Sequence, residues 1–159
     1  MNNAHWHLVL NHLPVVGLLI GTLILIAGLL MKKPEVKLTA LAVMVFTALT
    51  SIAAFYTGEG AEEVVENIAG ISETLIHNHE EDAELFFTVT LILGSLSLLG
   101  FILEFKKLRF AKYVIYLVLL MAFSDGILAK NVGTSGGEIR HSEIRDNANV
   151  LELGNETED

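Results

Sequence analysis

Histidine and carboxylate are the side chains here whose chemistry goes beyond packing. The 159-residue chain has six histidines, nineteen Asp and Glu, and no cysteine. Imidazole and carboxylate nearby can ligate a divalent ion, and two imidazoles at one depth between apolar walls can hold a haem. The missing thiol removes disulfides, thiolate zinc sites, cysteine-ligated clusters and CxxCH haem attachment. The formal net charge of −9 argues against nucleic acid as a partner.

The histidines come from three separate stretches. His5, His7 and His12 open the chain, His77 and His79 lie near its middle, and His141 follows Gly136, Gly137 and Glu138. Glu73, His77, Glu80 and Glu84 recur at helical spacing and share one stripe, with Glu81 beside it. That stripe is either a ligand set or an exposed acidic face. Glu138 and His141 form an E-x-x-H, the spacing of carboxylate-bridged metal bundles; a surface helix cap is the alternative. The candidate metal ligands are thus His7, His12, His77, His79, Glu80, Glu84, Glu138 and His141, with His12, His77 and His141 as the set expected to converge. Trp6 reads as an interfacial anchor.

Four apolar runs must position these residues: Leu13–Met31, Leu38–Gly58, Leu85–Leu103 and Tyr113–Ala129. Each matches the length that carries a helix across a hydrocarbon core of roughly 30 Å. With 52% hydrophobic residues and a mean hydropathy of +0.55, the expected fold is an all-α integral membrane four-helix bundle. Its spans are placed at about 8–31, 38–58, 83–104 and 110–131, within one domain, 1–145. An acidic mobile tail is expected over 146–159. No basic n-region precedes the first run, so that run is expected to be retained. Gly17 and Gly21 form a GxxxG pair that favours close helix approach but carries no weight for dimerisation.

Seven of the ten basic residues lie in the turns after the first and third runs: Lys32, Lys33, Lys37, Lys106, Lys107, Arg109 and Lys112. The positive-inside rule makes that side cytoplasmic. Both termini and the 59–82 loop are then outside; with the loop's edge taken to residue 84, that side holds all six histidines and sixteen of the nineteen acids. The loop is expected to be helical: a short helix over Gly60–Ala69 ended by Gly70, then an N-cap at Ser72. The third helix is expected to begin outside the membrane at Glu73. Asp125 is the one charge inside a run. It needs a partner, and His12, a hydroxyl on the second span or a proton relay are the candidates.

The opening HLVLNHLPVVG resembles the H-x-x-x-x-H-F-P-I signature of an uncharacterised bacterial family of small four-helix membrane proteins, and the Gly-Gly-Glu close followed by a histidine is similar as well. The matching positions are His7, His12, Pro14, Gly136, Gly137, Glu138 and His141. Leu8 and Leu13 stand where the family usually has Pro and Phe, and the family spaces Gly-Gly and the last histidine more widely. The resemblance implies a four-helix membrane fold in a bacterial inner membrane and supplies no reaction.

Three functions follow as expectations. The first is a metal- or haem-binding site on the extracytoplasmic face, redox-linked, taking haem b or a divalent ion (Fe, Zn, Mn or Cu(II)). The second is a non-catalytic subunit or assembly factor docking an envelope partner. The third is a small proton-coupled transporter using Asp125 and His12. No phosphate loop, nucleotide fingerprint or nucleophile–base pair is present.

Overall fold

Alternating apolar runs and short basic turns produce antiparallel helices. The computed structural model describes residues 2–66, 68 and 71–145. The helices are α1 (Asn3–Leu10), α2 (His12–Leu30), α3 (Pro34–Val65), α4 (Glu73–Phe105) and α5 (Ala111–Glu138), followed by a single 3-10 turn, Ser142–Ile144. No strand occurs among the described residues. Taking α1 and α2 as one segment, four helices are long and apolar enough to cross a membrane.

Each helix packs on its neighbour in the chain, and α5 closes the ring against α2, while α1 lies along α3. Leu25, Leu41, Met44, Leu93, Ile115 and Val118 fill the core. Large apolar side chains such as Leu19, Leu23, Phe46, Leu49, Leu120, Phe123 and Ile127 point outward. Apolar residues inside and outside together are the mark of a bundle whose solvent is lipid.

Small residues set the helix separation. A Cβ on Gly17 would meet the Thr47 hydroxyl, and one on Gly28 would lie 2.8 Å from the Lys37 backbone nitrogen. One on Gly94 would strike Ala48. The GxxxG pair is therefore spent inside the chain, on the α2–α3 contact.

Several boundaries differ from the apolar runs. The first helix begins at Asn3, capped by the Asn2 side chain, which accepts from the His5 N–H at 3.0 Å. It then breaks at Asn11. Pro14 has no N–H for the Leu10 carbonyl, so the hydrogen-bond ladder is interrupted there. The separate helix expected from Gly60 does not form. Instead α3 runs through Gly58 and Gly60 to Val65, because α1 packs along it and Asn3 lies against Gly60; tertiary contact outweighs the glycine penalty. Ala69 and Gly70 lie outside the described residues, as does the 146–159 tail. Ser72 holds the N-cap position of α4 with extended backbone, and α4 starts at Glu73 as expected. Likewise α5 continues past residue 131 through Gly133, Gly136 and Gly137 to Glu138.

The two ends of the bundle differ in chemistry. At the basic end, α2 and α4 close with the same device. Lys32 (φ 55°) and Lys107 (φ 54°) adopt the left-handed conformation. The next residue returns to the helix, Lys33 N–H to Gly28 O at 3.1 Å and Leu108 N–H to Leu103 O at 2.9 Å. These are Schellman closures with lysine where glycine is usual. Lys37 and Glu104 form an ion pair across α3 and α4, largely shielded from solvent. The opposite end carries the histidines.

Candidate functional site

Two histidines at that end are tied into the bundle. His7, on α1, places Nδ1 3.0 Å from the Ala54 carbonyl of α3, with the Thr57 hydroxyl 3.5 Å away. His79, on α4, places Nδ1 3.2 Å from the Ser135 hydroxyl of α5, and the Val132 backbone is a further partner. Both rings are partly buried, and each lies within electrostatic reach of the other.

The two seats have the same construction. On α3, carbonyl, hydroxyl and glycine come from Ala54, Thr57 and Gly58. On α5 they come from Val132, Ser135 and Gly136. In each case the hydroxyl is three residues, and the glycine four, beyond the carbonyl, so all three share one helix face. The glycines admit the rings: a Cβ on Gly58 would lie 3.3 Å from His7 Cε1, and one on Gly136 2.9 Å from His79 Cε1. Gly136 and Gly137 are both helical, and Gly136 serves close packing against His79.

Among the described residues, Nδ1 of His7 meets the Ala54 carbonyl and the Thr57 hydroxyl, and Nδ1 of His79 meets the Ser135 hydroxyl. A carbonyl beside Nδ1, as at His7, selects the tautomer protonated there and leaves the Nε2 lone pair to bind. Metal-ligating histidines are commonly oriented in this way.

The other sequence candidates are not seated between helices, although His12 is within electrostatic reach of His7. His12 is exposed at the start of α2. His77 is exposed and pairs with its own helix neighbours, Glu80 and Glu81, each at 3.5 Å. Glu62 of α3 faces His77 and Glu80 closely enough to interact. Glu84 is exposed and Glu138 partly buried. His141 lies beyond α5, exposed, with Nδ1 2.9 Å from Glu143 Oε1. The Glu143 carboxyl is held below the usual carboxylate range by its own backbone N–H first and by His141 second. Among the described residues no group of three or more His, Asp or Glu side chains is arranged to hold a metal ion.

Asp125 is fully buried on α5, and its Oδ2 accepts a 3.0 Å hydrogen bond from the Thr90 hydroxyl of α4. The partner is thus on the third span, in place of His12 or the second span. Sequence reasoning missed this pair, the Lys37–Glu104 bridge and the glycine seats. A hydroxyl followed at once by glycine, in Thr57-Gly58 and Ser135-Gly136, was the visible signal for the seats.

Fold and site together define a helical bundle of membrane-spanning length with a pair of oriented histidines near one end. Comparison with known protein families, curated proteins and solved structures finds no match.

Proposed function

We propose that this protein binds haem b at the histidine end of its bundle, where His7 and His79 would hold it, and that it serves electron transfer at the membrane surface. The observation that carries this reading is the matched anchoring of the two rings, each held at Nδ1 in a seat of the same construction. A bare divalent ion takes four or more ligands, and the pair supplies two. A porphyrin brings four nitrogens of its own and asks the protein for axial ligands and apolar walls. What the chain supplies is orientation and partial exclusion of water; the bound group would supply the redox chemistry.

The basic turns support an orientation with the Lys32–Lys37 and Lys106–Lys112 segments cytoplasmic and the histidine end outside, in a cytoplasmic membrane. There the site would meet an extracytoplasmic electron partner.

The test is titration of detergent-purified protein with haem b, followed by its Soret band, with Fe, Zn, Mn and Cu(II) titrations as a parallel arm. Saturable one-to-one haem binding with a six-coordinate low-spin spectrum is expected. His7→Ala and His79→Ala should each weaken it at least tenfold, whereas His12→Ala, His77→Ala and His141→Ala should leave it unchanged. Wild-type protein with no haem affinity, or full affinity in the His7 and His79 variants, would sink the reading.

A further inference from the structure

The bundle interior carries a second set of polar groups, beginning about one turn below the His7 seat. Thr22, Thr47, Ser51, Thr90, Ser97 and Asp125 are all buried. Most of the hydroxyls are satisfied by a carbonyl of their own helix: Thr22 by Leu18, Thr47 by Val43, Ser51 by Ala48. Among the described residues, three buried side-chain atoms have no hydrogen-bond partner: Asp125 Oδ1, Ser97 Oγ and Asn11 Oδ1. Such atoms are rare in folded proteins, because each forfeits its hydration without replacement.

Their depths are related. Fourteen residues, about 21 Å of helix, separate Lys37 from Ser51, Glu104 from Thr90 and Ala111 from Asp125. The same count separates Gly28, which abuts Lys37, from Pro14. The buried acid, its threonine, Ser51 and the proline that breaks the first span therefore share one layer. Asn11, at the break itself, lies about one turn nearer the histidine end. On α4, Thr90, Ser97 and Glu104 recur every seven residues and share one face, at steps of about 10.5 Å. A line of polar groups thus runs from the interrupted helix, past Asp125 and Ser97, to the Glu104–Lys37 pair at the basic end.

We infer that this line is a proton path along the bundle axis, with Asp125 as the group that takes up and releases the proton. Internal water bridges the gaps, satisfying Asn11 Oδ1, Asp125 Oδ1 and Ser97 Oγ. A proton leaves Asp125 for a bridging water, and another water returns one from the opposite side; no other bond forms or breaks. Thr90 acts as a positioning residue, fixing Oδ2 and leaving Oδ1 to the water. Among the described residues no ion pair involves Asp125, so no fixed counter-ion locks it in one state. Broken helices beside a buried carboxyl are where membrane proteins build ion sites.

This inference does not rest on the haem reading. Full-length protein in liposomes loaded with a pH-sensitive dye, under an imposed pH gradient with a potassium ionophore present, tests it without haem. Wild type should dissipate the gradient at least tenfold faster than protein-free liposomes. Asp125→Asn should abolish the excess, Asp125→Glu should keep part of it, and Ser97→Ala should slow it several-fold. Wild-type liposomes no leakier than empty ones would overturn the proposal, as would Asp125→Asn at the wild-type rate with unchanged helix content. If Asp125→Asn does not fold, Ser97→Ala decides alone: slowing supports the path, and an unchanged rate overturns it.

Discussion

A histidine whose Nδ1 faces a carbonyl is a different reagent from one that faces solvent. His7 is of the first kind and His79 is seated against a hydroxyl of the neighbouring helix, whereas His12, His77 and His141 are exposed. The seats themselves make a prediction. Gly136→Ala would place a methyl 2.9 Å from His79 Cε1, so the ring must swing out. Haem affinity should fall about tenfold, the low end of what loss of outer-shell support costs a metal site, as read by the same Soret titration. Gly126 offers the control, since a Cβ there meets nothing within 4 Å. Gly126→Ala should leave haem binding intact and raise stability by about 0.5 kcal/mol through helix propensity, seen in thermal unfolding in detergent.

At the scale of helices, the basic end is where local and tertiary demands compete. Lysine at φ near 55° costs roughly 1–2 kcal/mol relative to glycine. Positive charge at the turn is evidently retained in spite of that strain. Lys32→Gly and Lys107→Gly should therefore each stabilise the bundle by about 1 kcal/mol, measured by unfolding in mixed detergent. The Lys37–Glu104 pair links α3 to α4 with side chains 18% and 12% exposed. A double-mutant cycle with Lys37→Met and Glu104→Gln should give a coupling of about 1–3 kcal/mol. A coupling near zero would mean that the pair is merely tolerated.

For the whole molecule, the two hairpins repeat one plan. Each starts at the histidine end with a seated imidazole and descends to a left-handed lysine. Each then returns to a carbonyl, hydroxyl and glycine seat. His7 to Lys32 spans 25 residues and His79 to Lys107 spans 28; Lys32 to Ala54 spans 22 and Lys107 to Val132 spans 25. Hairpins of like direction are related by an axis along the bundle, the arrangement of parallel repeats, and that axis brings the two histidines to one end. Orientation can be checked with single cysteines in this cysteine-free chain. A cysteine at Glu66 should react with an impermeant maleimide in intact cells, and one at Lys106 only after permeabilisation.

Hydropathy and charge in the sequence were enough for the four long helices, the two basic turns at one end and the start of α4 at Glu73. Burying apolar length in lipid and keeping lysine out of it are properties of composition alone. The layout of the histidines at one end followed from the same count. Which of them face inward did not. His77 and His79 are two residues apart on one helix, and only the packing of α4 against α5 turns one toward Ser135 and leaves the other outside. The run from Gly60 likewise looked like a new helix until α1 was laid along it. The partner of Asp125 was expected at His12 or on the second span, and only the register between α4 and α5 selects Thr90 of the third. Local periodicity sets what a helix is, whereas the choice of buried face depends on neighbours distant in sequence.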